Sequence, residues 1–299
     1  MPELPEVQTV VNDLNEKIKG DTITEFWSVW PKAIKDKSLK VFQQEITGRK
    51  ILLARRIGKN IFIDLSGNKT LYIHLKMTGH LLIKATPQEL NSNKAKTAQE
   101  FSSENGKNYF EDKVNQYVRH KFFLGKNKVM EFSDLRKFAK IMLVDTDKIS
   151  ELPEIKALGV DAMSPDFTFQ KFNEILEKKK KSPIGITLMD QHLIAGIGNI
   201  YRSEILFLAG ILPTRKNESI SLEKRKAVYK HTLAVLKKAI KLRGTSDSDY
   251  RDTTGAPGGF QKVLNVYNRA SEKCKKCDTM IERAVLGQRS IFFCPKCQK

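Results

Sequence analysis

Cysteine is absent from this 299-residue chain until Cys274, and all four cysteines fall from there onward. A disulfide framework spanning the fold is thereby excluded. No stretch reaches the roughly eighteen consecutive apolar residues that a membrane-crossing helix needs, and no charged, apolar, small-residue leader opens the chain. The sequence therefore predicts neither membrane insertion nor classical secretion, and a bacterial cytosolic or nucleoid location. Acidic residues are scarce beside basic ones, 34 against 53, which leaves a formal charge of +19 and a pI of about 9.7. Such an excess suits a polyanion, because each neutralised phosphate releases counterions. A basic solubilising surface, anionic lipid and ribosomal RNA also fit the composition. The length exceeds that at which one core usually keeps growing, so two domains are expected.

What is present begins at the second residue. Once Met1 is trimmed, Met1-Pro2-Glu3-Leu4-Pro5-Glu6-Val7 presents a proline secondary amine with two carboxylates beside it. An α-amino group has a pKa of about 8 against about 10.4 for lysine, so roughly a tenth of it is free at pH 7. Attack by a secondary amine on an aldehyde-like carbon, such as an anomeric carbon, gives an iminium that is cationic without further protonation and acts as an electron sink. Glu3 is placed to move the protons. The same residues also read as a polar start to a helix, with proline presetting φ and glutamate favouring the N-terminus.

The cysteines form two knuckles, Cys274-Lys-Lys-Cys277 and Cys294-Pro-Lys-Cys297. This spacing fits a tetrahedral four-thiolate zinc site in which the metal replaces a core that so short a segment cannot build. With four protein ligands the metal has no open position and is structural. Between the knuckles, Gly287-Gln288-Arg289-Ser290 reads as a turn feeding the apolar strand Ile291-Phe292-Phe293, a zinc ribbon. Arg289 would stand at its tip, either reaching a phosphate or simply solvated.

Apolar residues at Val7, Val10, Val11, Leu14 and Ile18 predict a helix over 2–19. Short strands follow from about 21 to 85, including 50–54, 60–65 and 71–75, and resume at 120–124, 128–132 and 138–144. Residues 87–116, rich in polar side chains, read as a mobile surface insertion. Helical periodicity takes over at 167–180, 200–208 and 221–243. The resulting fold class is α+β: an N-terminal antiparallel β-sandwich with flanking helices (2–148), a helical domain (149–260) and a zinc ribbon (261–299).

Two further segments carry chemistry. In Gly196-Ile-Gly198-Asn199-Ile200-Tyr201 a glycine pair precedes a helix start whose exposed N–H groups suit a phosphate; a tight turn with Asn199 as N-cap is the plainer alternative. In His74-Leu-Lys-Met77-Thr-Gly79 and Asp134-Leu-Arg136-Lys-Phe138, the methionine, arginine and phenylalanine suit filling the void left by an extruded base, or belong to the core.

Taken in order, the Pro-Glu-Leu-Pro-Glu start, Gly58-Lys59-Asn60, His74 to Gly79, Gly196 to Tyr201, Gly255-Ala-Pro-Gly-Gly-Phe260, Val266-Tyr-Asn-Arg269 and the terminal ribbon resemble the bacterial formamidopyrimidine-DNA glycosylase family from end to end. The resemblance implies a β-sandwich domain joined to a helix-two-turns-helix domain. It implies a base-excision enzyme on damaged double-stranded DNA, monomeric, with one structural zinc and no organic cofactor. By similarity Pro2 attacks the anomeric carbon of an extruded nucleotide bearing an oxidised purine, Glu3 is the proton donor, Lys59 assists β-elimination and Arg289 the δ-elimination. His74, Arg136, Lys180, Asn199, Tyr201 and Arg269 resemble DNA contacts, and Met77, Arg136 and Phe138 the void-filling triad. Glu6, within the N-terminal motif, resembles a residue shaping the damage pocket, as do Gly258 and Phe260, which lie in the 255–260 segment that resembles a mobile loop closing over the lesion.

Departures bear on lesion preference. Lys76 and Asn268 replace usual glycines, Leu135 a proline, and Gly185 stands where many relatives have lysine; the family's DNA-contacting histidine aligns with any of Tyr117, Val118 or His120. An endonuclease VIII-like enzyme for oxidised pyrimidines is one alternative, opposed by Leu4 where that branch has glycine. A noncatalytic zinc-ribbon binder of distorted DNA is the other.

Overall fold

The computed structural model describes residues 1–35, 37–85, 108–125 and 127–299, which pack as two compact units. The first comprises Met1–Leu152 and Leu242–Gly259, the second Pro153–Lys241 and Phe260–Lys299. This division differs from the sequence reading at one stretch: residues 242–259 join the first unit, not the helices before them. The ribbon shares the second unit with those helices. Residues 87–107 of the expected insertion lie outside the described residues, and 108–116 form two short 3-10 turns.

In the first unit, helix α1 (Leu4–Lys17) starts at Glu3 in extended conformation, with Pro5 in its first turn, and buries Val7, Val10, Val11 and Leu14 at helical spacing. Eight strands make two four-stranded antiparallel sheets. One runs in the order β1 (Ile23–Ser28), β6 (Val118–Leu124), β7 (Lys128–Ser133), β5 (His80–Ala85). The other runs β2 (Ile51–Ile57), β3 (Asn60–Leu65), β4 (Lys69–His74), β8 (Lys140–Asp145). Phe26, Phe122, Phe132 and Met130 from the first sheet and Ile61, Ile63, Leu71 and Ile73 from the second share one core with α1. Alternating side chains on each strand supply that core. Helix α2 (Leu39–Ile46), capped by Ser38 accepting from the Val41 N–H, was not legible among the strands. Its eight residues are too few for a periodic signal, though Phe42 and Ile46 anchor it.

His120 lies inside the first sheet, 1% exposed, its ring between Phe26 and Phe132 and its Nδ1 2.9 Å from Ser28 Oγ. Of the three candidates for a DNA-contacting residue near 117–120 it is thus the interior one. Burial holds its pKa down from 6.5 to about 4. Between those values the unfolded chain binds a proton that the folded chain refuses. Stability is therefore complete above pH 6.5 and falls as pH drops toward 4, by up to about 3 kcal/mol from this group. His120→Gln is expected to flatten the acid slope of the unfolding free energy over that window in urea titrations; an unaltered slope would remove His120 as its source.

The second unit holds the one-turn helices α3 (Pro153–Lys156) and α5 (Ile184–Thr187), the longer α4 (Phe169–Lys178), α6 (Asn199–Ala209) and α7 (Leu222–Lys241), and a short parallel pair, β9 (Val160–Asp161) with β10 (Ile194–Ala195). Helix α6 is buried almost all round, so its charged residues require partners. The Arg202 guanidinium donates to Gly185 O, to the Asn199 side chain and, at 3.0 Å, to Ser290 O. The Glu204 carboxylate accepts from the N–H groups of Asn265, Val266 and Tyr267 and from Asn265 Nδ2, at 2.8 to 3.0 Å. Through these two side chains α6 carries the ribbon. Among the described residues no helix is long and apolar enough to cross a membrane.

Candidate active site and nucleic-acid interface

At the chain start Met1 is 52% exposed and Pro2 is buried. Glu3 and Glu6 close a capping box at the head of α1, with the Glu3 N–H donating to Glu6 Oε2 at 2.7 Å. The other Glu6 oxygen accepts from the Thr245 N–H, also at 2.7 Å. Glu6 was expected to line a damage pocket. Its buried carboxylate ties the N-terminus to the 242–259 segment, and the helix cap and the proposed reactive terminus draw on the same residues of the Pro-Glu-Leu-Pro-Glu start. Tyr250, wholly buried beside Glu6, has its hydroxyl pKa pushed well above 10, first by burial and then by that carboxylate.

The segment is held by ion pairs that no local pattern announces. Arg243 forks between Asp13, at 2.6 and 3.2 Å, and Asp252, at 2.6 Å. Burial works against its charge, yet the bond to Asp13 and the field of Asp252 keep it more firmly protonated than usual. Thr253 Oγ1 donates to Asp13 and accepts from Lys17 Nζ. Gly258 belongs to this packed segment, its N–H donating to Ser246 Oγ at 2.9 Å.

Lys59 is largely buried in the two-residue turn between β2 and β3, where Ile57 faces Asn60. Asn60 stiffens the turn by donating to Ile57 O and accepting from the Tyr72 hydroxyl, both at 2.9 Å. Arg56 Nε donates to Gln8 Oε1 at 2.7 Å, which draws this hairpin end against α1. Pro2, Glu3 and Lys59 are thus carried by adjoining elements of one unit.

Met77, Arg136 and Phe138 do come together. Arg136 lies 3.2 Å from Met77 Sδ and 4.9 Å from the centre of the Phe138 ring, and Phe138 is 54% exposed. Their two loops are clasped by Asp134, which accepts from Thr78 Oγ1 and from the Ala139 N–H. His74 ends β4 and accepts from the Lys76 N–H at 2.9 Å. Lys76 has φ of 54° and Asn268 of 56°. Both departures from glycine therefore sit in left-handed backbone, which asparagine tolerates better than lysine. A Cβ on Gly185 would lie 2.8 Å from Pro213 O, so this chain has no room there for a side chain in this conformation.

In the second unit, Gly198 is the N-cap of α6 and Asn199 its first residue, not the cap that the sequence suggested. Gln191, unremarked in the sequence, shapes this turn by donating to Ile197 O at 2.7 Å and accepting from the Gly196 N–H. Strands β11 (Glu282–Leu286) and β12 (Arg289–Phe293) pair across Gly287 and Gln288, both at positive φ, the geometry of a tight hairpin. Arg289 opens β12, exposed at the tip. It lines an open cleft of about 680 Å³ with Asn199, Tyr267, Asn268 and Arg283, so two residues noted separately in the sequence face one basic hollow. Lys180 is exposed and paired with Glu177 at 3.4 Å.

Three expected contacts are placed otherwise. Tyr201 is fully buried, edge-on to Phe260 at 5.5 Å, so neither ring reaches DNA or a lesion in this conformation. Arg269 donates to Glu272, Asn265 O and Lys273 O, and so braces the ribbon's base. The Tyr-Asn-Arg pattern does not reveal burial, and apolar periodicity on α6 was the only hint for Tyr201.

The four cysteine sulfurs lie within 4.8 Å of one another, with Cys277 and Cys294 3.5 Å apart and Cys274 and Cys297 3.9 Å. Four thiolates at 2.3 Å around a tetrahedral zinc stand about 3.8 Å apart, so the set fits that ion. Without the metal the thiols pull in both directions: hydrogen bonding to Thr279 draws Cys277 down, while burial pushes Cys294 and Cys297 up.

Comparison with known proteins agrees with this layout. Family models described as the formamidopyrimidine-DNA glycosylase N-terminal domain, its H2TH domain and the zinc finger found in FPG and IleRS match residues 1–141, 158–250 and 271–299. Formamidopyrimidine-DNA glycosylases of Chloroflexus aurantiacus and Herpetosiphon aurantiacus are 36% and 34% identical, over 100% of this chain and 98% and 100% of theirs. Among solved structures, the Lactococcus lactis enzyme with abasic-site DNA superposes with a TM-score of 0.83 at 28% identity, over 99% of both chains. The Thermus thermophilus protein gives 0.80 at 31%, over 99% of this chain and 98% of that one. Another Lactococcus lactis structure, TM-score 0.82 at 28% identity and covering both chains fully, contains an oxidised pyrimidine in its DNA. With matches spanning all of its length and a four-cysteine zinc site at its end, this chain belongs to the formamidopyrimidine-DNA glycosylase family, the bifunctional glycosylases and abasic-site lyases of DNA repair.

Proposed function

We propose that this protein excises oxidised purines, 8-oxoguanine and formamidopyrimidines, from duplex DNA through an iminium on Pro2 and then nicks the strand, acting as a monomer in the cytosol or nucleoid. The observation that carries this reading is the chain start, where Pro2 is buried beside Glu3 at the head of α1. With Met1 removed, the proline nitrogen attacks C1′ of an extruded nucleotide; the glycosidic bond breaks and the base leaves with a proton. Glu3 protonates the sugar ring oxygen as the ring opens to the iminium. That cation acidifies the C2′ hydrogen, whose loss, assisted by Lys59, expels the 3′ phosphate. A second elimination, at which Arg289 is placed, removes the C4′ hydrogen and expels the 5′ phosphate, and water releases the sugar remnant from Pro2. Met77, Arg136 and Phe138 fill the emptied stack. Asn199, Lys180 and His74 hold backbone phosphates, the first at a helix N-terminus.

Borohydride trapping of the untagged protein tests the reading, on duplexes carrying 8-oxoguanine opposite cytosine or thymine glycol. A covalent adduct on 8-oxoguanine mapping to Pro2 is expected. Trapping mainly on thymine glycol would favour the pyrimidine branch, a comparison invited by the oxidised-pyrimidine complex of the Lactococcus lactis relative. Binding without any adduct would leave a noncatalytic binder.

A further inference from the structure

We propose that Asn115 is a positioning residue for base excision, holding from outside the wall formed by residues 242–259 beside the N-terminus. Asn115 is fully buried at the end of the 108–116 segment. Its Nδ2 donates to Tyr109 O at 2.7 Å and to Gly255 O at 3.2 Å. Gly255 has φ of +80°, and a Cβ there would come within 2.8 Å of Asn115 Nδ2, so the amide is seated directly against the loop backbone. Nearby, Asp112 faces Arg251 at 3.7 Å, and Thr253 O accepts from the Ile83 N–H of β5 at 2.9 Å.

From Gly255 the contact continues inward. The Gly255 N–H donates to Asp252 O at 3.0 Å, Asp252 holds Arg243, and two residues on, the Thr245 N–H holds Glu6, which holds the Glu3 N–H. The Asn115 side chain also meets the buried His80 ring, and Arg251 Nε faces the Asp112 carboxylate. A wall at this position bears on a base being seated, and has nothing to hold when the nucleotide has already lost its base.

The inference rests on the Pro2 reading, and two substrates separate them. Asn115→Ala is expected to slow single-turnover excision of 8-oxoguanine about tenfold or more, since small misplacements at a reacting centre cost that much. Nicking of a preformed abasic duplex should stay within about twofold, because the amine meets an aldehyde that needs no seating. Asp112→Asn, at the rim, loses the charge facing Arg251 without opening a core, and should shift the same ratio in the same direction by about threefold. Equal losses on both substrates, or loss on neither, in both variants would overturn the role. Failure of the unmodified protein to nick the abasic duplex would overturn the Pro2 reading and this inference with it.

Discussion

Replacing Pro2 with glycine is expected to lower strand nicking by about 10²-fold or more, and an uncleaved N-terminal tag to abolish it, with duplex affinity nearly unchanged in both. A tag leaves the nitrogen as an amide without a nucleophilic lone pair. Glycine leaves a primary amine, whose imine must be protonated before it withdraws electrons, and whose backbone lacks the fixed φ that presets the turn into α1. Binding should persist because the exposed Met77, Arg136 and Phe138 cluster and the basic hollow at Arg289 do not depend on the amine. Filter binding and gel-resolved nicking on one abasic duplex measure the two quantities together. Nicking by the tagged protein at the untagged rate would remove Pro2 from the chemistry.

Cys294→Ala should act at the opposite end of the chain and on the opposite quantity. Cys294 is fully buried, and its N–H is held by Gln298 Oε1 at 2.9 Å, so the metal site and the C-terminal turn share one anchor. Structural zinc contributes on the order of 10 kcal/mol to such ribbons, far more than the small cluster of Phe207, Val266, Ile281 and Phe292 around it. Loss of the metal is expected to free the β11–β12 hairpin and with it Arg289. Bound zinc should fall from about one per chain to little, and duplex affinity by about tenfold or more, a change of roughly 1.4 kcal/mol. Affinity also falls steeply with salt wherever phosphates are contacted, so both proteins are compared at one ionic strength. Unchanged affinity in a zinc-free variant would show that the ribbon plays no part in recognition.

Residues whose signal is local were legible beforehand. The Cys-x-x-Cys spacing, the turn before Ile291-Phe292-Phe293 and the apolar period of α1 each lie within a few residues of themselves, and each stands where the pattern placed it. Roles that depend on burial were less legible. Tyr201 and Phe260 carry aromatic rings suited to stacking on bases, yet the two pack against each other inside the second unit. Arg269 resembles a phosphate contact, yet its donors close on Asn265 and Lys273 carbonyls and on Glu272. Side-chain type shows what a residue is able to do; only its neighbours show whether that capacity is already taken up.

The sequence by itself determined the residues on offer: a proline at the second position with two carboxylates beside it, four cysteines at zinc spacing, a large positive charge and strands whose alternation makes a sandwich. These follow from short-range covalent and periodic facts that need no partner from afar. The tertiary structure alone decided that residues 242–259 belong to the first unit. The ties responsible, Arg243 to Asp13, Thr245 to Glu6 and Asn115 to Gly255, join residues more than a hundred positions apart, and a pairing across such a separation leaves no trace in the pattern at either end.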